Sequence, residues 1–153
     1  MIADKVEDMI VSLKKALVLI ALFFCKSLLA QNRIVVTVNN FKGNKGVCRG
    51  CVFANASSFS GEGKPLQCTQ SIIKNKVAQL VFENVPAGVY AVSVFHDINS
   101  NQELDKNFLG IPKEGYGASK NKLPFASAPG FEDNKFSVSD HTITQLNIRL
   151  RNL

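Results

Sequence analysis

The stretch Val77–Glu83 alternates, with one face wholly apolar and the other carrying its polar residues. Ala78, Leu80 and Phe82 fall on one side and Gln79 and Glu83 on the other. A period of two over seven residues is a half-buried β-strand and excludes a helix. Asn84-Val85-Pro86-Ala87-Gly88 follows, and reads as a turn in which proline fixes φ and glycine supplies a positive φ. Residues 89–96 are then apolar on both sides: Tyr90, Val92 and Val94 on one, Val89, Ala91 and Phe95 on the other. Two-sided apolarity implies a strand covered on both faces, hence a central one.

The same period recurs along the chain. Residues 33–41 place Ile34, Val36 and Val38 on one face. Residues 42–46 are a Lys/Gly/Asn turn, and 47–54 return as the second strand of an expected hairpin. Residues 55–65 form a Ser/Gly-rich loop whose one apolar residue, Phe59, is expected to tuck back on the core. Further strands are read at 68–74, after which Lys74-Asn75-Lys76 is a tight turn, and at 143–150. A short strand is read at 135–139. No helical period is visible after residue 30. About seven short strands with turn signals predict an all-β fold, a single antiparallel β-sandwich, with one long loop at 97–134. A loop of that length in a compact domain is usually functional.

Residues 1–30 stand apart. Lys14 and Lys15 precede an apolar run, 16–24, that is too short to span a bilayer; small and apolar residues then lead to Ala30 and Gln31. That order is a secretory signal peptide, cleaved after Ala30, with Met9 a possible true start. An uncleaved anchor and a lipoprotein site at Cys25 are the alternatives; Phe23 and Phe24 disfavour the second. The expected location is periplasmic, cell-surface or extracellular, with residues 31–153 as the folded domain and no membrane span in it. The chain carries +6 formal charge. Its basic residues are scattered singly without interleaved aromatics, so nucleic-acid binding is not expected.

Export permits a disulfide. Cys48-Arg49-Gly50-Cys51 has the spacing of a redox or zinc motif, but it lies in a strand, where residues three apart point to opposite faces. No helix follows to lower a thiol pKa, and no further ligands stand at zinc spacing. The expectation is one bridge from Cys68 to Cys51 or Cys48, with Cys51 favoured.

The stretch 82–94, Phe-Glu-Asn-Val-Pro-Ala-Gly-Val-Tyr-Ala-Val-Ser-Val, resembles the Phe-x-x-Leu-Pro-x-Gly-x-Tyr signature of transthyretin-like and carboxypeptidase-regulatory-like sandwich domains. Together with 94–105, 107–117 and 129–133 it more closely resembles a bacterial exported family, domain of unknown function 2141. The resemblance covers essentially all of 31–153 and implies a secreted, immunoglobulin-like or transthyretin-like sandwich. The sequence departs from that family at Gln102, where glycine is common, and at Ala118, where an aromatic is usual.

The long loop carries the candidate chemistry. Asp97, Asn99, Asn101 and Asp105 stand at relative positions one, three, five and nine, with Glu103 at seven. Alternating Asp and Asn on a tightly curved chain converge oxygens as calcium requires, with position seven normally giving its main-chain carbonyl. Position six is Gln102 rather than glycine and position twelve is Phe108 rather than glutamate, so a missing ligand is sought at Glu114. Calcium is thus the expected cofactor, at about 10⁻⁴–10⁻³ M as in extracellular modules. The competing reading is that these residues cap turns through side-chain-to-backbone bonds. His96, Phe108, Tyr116 and Phe131 are candidates for a ligand surface. The expected role is a non-enzymatic binding or structural module, its partner a protein or glycan of the envelope. The alternative is an envelope hydrolase using His96, Asp97, Glu114 and Tyr116.

Overall fold

β5 (Gly88–Asp97) is the hub of the molecule. In the computed structural model, which describes residues 32–125 and 127–152 together with 10, 13 and 14, it pairs with three other strands. Apart from those three residues, the expected leader and its cleavage site fall outside that description. β2 (Val47–Phe53) lies on one side of β5, in antiparallel register from Val47 opposite Asp97 to Phe53 opposite Ala91. On the other side lie β6 (Tyr116–Ala118) and β7 (Phe136–Val138), each antiparallel to β5. β3 (Gln67–Ile72) pairs with β2 and completes a five-stranded sheet.

The second sheet has the order β4-β1-β8, from β4 (Val77–Glu83), β1 (Arg33–Asn39) and β8 (Ile143–Arg149). β1 runs antiparallel to β4 and parallel to β8, so one pairing departs from the antiparallel expectation. The all-β, sandwich-like fold holds. Its core is built by the period-two faces: Ile34, Val36, Val38, Leu80, Phe82 and Ile148 from one sheet, Val52, Val92 and Val94 from the other. Each such side chain contributes about 1.5–3 kcal/mol by leaving water. Residues 31–153 form one compact unit.

Three local expectations need correcting. β1 and β2 are not a hairpin: they sit in different sheets, and residues 40–46 arch across the end of the sandwich. The turn residues signalled a reversal, but composition does not tell a reversal within a layer from one between layers. In the turn after β4, the positive φ belongs to Asn84 (57°), and Gly88 is already in β5. Two short helices also occur, α1 (Ala56–Ser60) and α2 (Phe131–Asn134). Both are too short for a 3.6-residue period to register. α1 is set instead by its caps: Asn55 Oδ1 accepts from Ser58 N at 2.9 Å, and Gly61 closes it in the left-handed region. Phe59 of α1 stacks edge-on with Phe53 and with Phe131 of α2, beside the core cluster rather than in it.

The cysteine register follows from the sheet. Cys51 and Cys68 are directly opposed on β2 and β3, with Cα atoms 4.1 Å apart, and they form the disulfide. Cys48 is on the other face and buried. Burial pushes its thiol up to about 12, which keeps it protonated and inert.

Candidate functional site

The long loop is two structures, separated by β6. The first half, 97–115, starts where β5 runs out. Asp97 is fully buried, and its two carboxylate oxygens accept from Asn101 N at 3.1 Å and Gln102 N at 3.0 Å. Asn99 Oδ1 also accepts from Asn101 N, at 3.1 Å, and Asn101 Oδ1 accepts from Glu103 N at 2.9 Å. These are successive Asx turns, each side chain bonding the backbone two residues on. They bend the chain so tightly that Ser100 and Gln102 take φ of 60° and 72°. Gln102 therefore occupies the left-handed conformation for which a calcium loop keeps glycine.

The curl is then closed from outside. Glu114 is buried, with Oε1 accepting from Ile98 N at 2.8 Å and Oε2 from Asp105 N at 3.1 Å. Asp105 receives the side-chain amides of Asn99 and Asn101 at 2.8 and 2.9 Å. Asp97, Asn99, Asn101, Asp105 and Glu114 thus share one bonded network, while the Glu103 side chain is exposed. All the network oxygens are of the type calcium takes, but each carboxylate already has N–H donors. Among the described residues, no three His, Cys, Asp or Glu side chains form a metal-holding group.

Between Asp105 and Glu114 the chain makes a small hairpin. Lys106 pairs with Pro112, Asn107 N donates to Ile111 O at 2.9 Å, and Gly110 N donates to Asn107 O at 2.9 Å. Asn107 Oδ1 accepts from Leu109 N and Ile111 N at 2.9 and 3.0 Å. The tip is therefore internally bonded, yet its side chains face outward: Phe108 is 94% exposed, Leu109 67% and Ile111 43%. Beside it is a cavity of about 610 Å³ lined by Leu104, Leu109, Ile111, Tyr116, Phe125 and Pro129, among others.

The second half, 119–135, is organised by a residue that sequence reading passed over. Asn134 is fully buried; its Nδ2 donates to Gly130 O at 2.9 Å and Lys122 O at 3.0 Å, and its Oδ1 accepts from Lys120 N and Lys122 N, both at 3.3 Å. Ser119 joins this to the sheet, accepting from Val92 N at 3.0 Å and donating to Asn134 O at 2.6 Å. Asn121 lies against the free edge of β8, donating to Asn147 O at 3.0 Å and accepting from Arg149 N at 2.8 Å, as a neighbouring strand would. The only trace of these roles in the sequence is that asparagine favours such local bonds.

The groups named for catalysis do not converge. His96 is buried, its ring edge-on to Phe41, and its Nε2 lies 2.7 Å from the Lys45 carbonyl. A carbonyl only accepts, so Nε2 donates there. Asp97 and Glu114 are turned to backbone N–H groups. Of the four, Tyr116 alone lines the cavity. Of the other ligand-surface candidates, Phe108 is exposed and Phe131 is spent against Phe59.

No curated protein and no solved structure matches this chain. A family described as an uncharacterised protein conserved in bacteria, domain of unknown function 2141, matches residues 36–145, and the chain belongs to that family.

Proposed function

We propose that this chain is an exported, non-catalytic sandwich module that offers a rigid loop surface to another component of the cell envelope. The observation that supports it is the pairing of opposites in residues 97–115: buried carboxylates fix the base, and an internally bonded tip holds large apolar side chains in solvent. Mobile apolar segments collapse onto their own protein; a tip held outward in this way fits a contact made with something else. The partner class drawn from the sequence, a protein or glycan of the envelope, belongs to this reading, with the adjoining cavity as the place for it. Catalysis is disfavoured because His96, Asp97 and Glu114 are committed to backbone partners.

Calcium would add to this scaffold. Its oxygens would come from Asp97, Asn99, Asn101, Asp105 and Glu114, with Glu103 giving its main-chain carbonyl. The test combines two measurements. Fractionation of the producing cells should place the chain in the envelope or medium, with its N-terminus near Gln31; recovery from the cytoplasm with residues 1–30 intact would contradict export. A thermal melt in excess EDTA and then in millimolar calcium tests the ion. A rise in Tm that disappears in Asp97→Ala assigns calcium to the loop. No rise leaves the loop on its Asx bonds alone.

A further inference from the structure

We infer that the hairpin 106–113 is a membrane-surface docking element, seating Phe108, Leu109 and Ile111 in the interface of an anionic bilayer. The inference rests on the reading of the chain as an exported module and names the envelope component that its tip meets. The sequence of the tip is Lys-Asn-Phe-Leu-Gly-Ile-Pro-Lys, with an exposed lysine at each end, Lys106 and Lys113, and three exposed large apolar residues between them. Apolar side chains flanked by lysines suit the boundary between headgroups and acyl chains, where the ammonium groups stay among lipid phosphates.

The backbone is prepared for that environment. Leaving water is costly for unpaired N–H and C=O groups. Here the N–H groups of Asn107, Leu109, Gly110 and Ile111 are all bonded within the hairpin. The surroundings are mixed but basic on balance: the loop base carries Asp97, Asp105 and Glu114, bonded inward, and the exposed Glu103, against the lysines that follow. The same end of the sandwich carries the arch 40–46 and the turn 74–76, joined by Lys76 N donating to Asn44 Oδ1 at 2.8 Å. These bring Lys42, Lys45, Lys74 and Lys76 to that end without an acidic residue among them. Phe125, 99% exposed, lines the same cavity as Leu109 and Ile111. Among the described residues no helix is long and apolar enough to cross a membrane, so the contact is peripheral.

The chain contains no tryptophan, which permits a clean test on the full chain. Phe108→Trp puts one indole at the tip; Val89→Trp, at the opposite end of β5 and also exposed, is the control. Titration with vesicles of phosphatidylethanolamine and phosphatidylglycerol should shift the emission of Phe108→Trp to the blue, and lipid-borne quenchers should reach it, with no change for Val89→Trp. Removing Lys106 and Lys113 as glutamines should weaken the response about fivefold each, since each lysine near an anionic surface gives about 1 kcal/mol. No shift with any vesicle overturns the inference. So does a blue shift that grows with protein concentration in the absence of lipid, which would assign the tip to a second copy. Either outcome leaves the export and melting tests standing, so the two proposals fail separately.

Discussion

The two halves of the long loop solve the same problem with opposite chemistry. In 97–115 the organisers are carboxylates, Asp97 and Glu114, which only accept; each collects two backbone N–H groups. In 119–135 the organiser is an amide, Asn134, which donates twice and accepts twice. Both are buried and both replace a ladder that the chain has left. The amide centre is neutral and complete. The carboxylate centre keeps lone pairs beyond its hydrogen bonds, which is why the calcium proposal concerns this half. One loop half is therefore neutral scaffold, and the other is the half in which the proposed calcium response would have to appear.

Exchanging the chemistries breaks the comparison most severely at Asn134. Asn134→Asp removes both donors and puts an unpaired charge among carbonyls, a change that costs about 3–5 kcal/mol. The denaturant midpoint should fall accordingly; a variant as stable as the parent would show that Asn134 is not the centre of its half. Calcium should act on the other half only. At about 100 times its Kd it would add roughly 2.7 kcal/mol, and amide NMR shifts should move within 97–105 while Lys120 and Lys122 stay still. Equal movement in both halves would remove the distinction. Asp97→Asn keeps one acceptor and turns the other into a donor facing an N–H. The cost should be roughly 1–3 kcal/mol, and a calcium response, where there is one, should go with it.

The smallest effect concerns Cys48, a buried polar group that organises nothing. Its thiol is raised from 9.0 to about 12 by burial. Ionisation is then available to the unfolded chain before the folded one, so the thiol's contribution is intact below about 9 and is lost as pH rises toward 12. Melts of the parent and Cys48→Ala should diverge in that window and run parallel below it. A constant difference across the range would mean the thiol is not held neutral by the fold.

What the sequence made legible follows from range. The alternation of Ala78, Leu80 and Phe82 needs only neighbours to be read, and the sheet used it as read. The bridge was legible only in part: opposite strand faces mean that Cys48 and Cys51 cannot share Cys68, but the register that selects Cys51 is set by the β2–β3 pairing. The spacing of Asp97, Asn99, Asn101 and Asp105 marked a curled polar segment, since Asx turns are local. The parallel β1–β8 pairing joins residues about a hundred positions apart, and no local signal specifies it. Asn134 was invisible for the same reason: an asparagine becomes a centre only through the carbonyls and amides the fold brings to it. β6 was missed because three residues, Tyr116–Ala118, are too few to show a period.

Amide hydrogen exchange on the parent and on Asp97→Asn tests the central claim most directly. The Ile98, Asn101, Gln102 and Asp105 amides should be protected in the parent. In the variant, whichever of the Asn101 and Gln102 amides faces the new NH2 group should lose protection, Gln102 more than Asn101 because Asn101 N keeps Asn99 Oδ1, while Lys120 and Lys122 keep theirs. Exchange of Asn101 and Gln102 at unprotected rates in the parent would contradict the claim, because the carboxylates would then not be holding the loop.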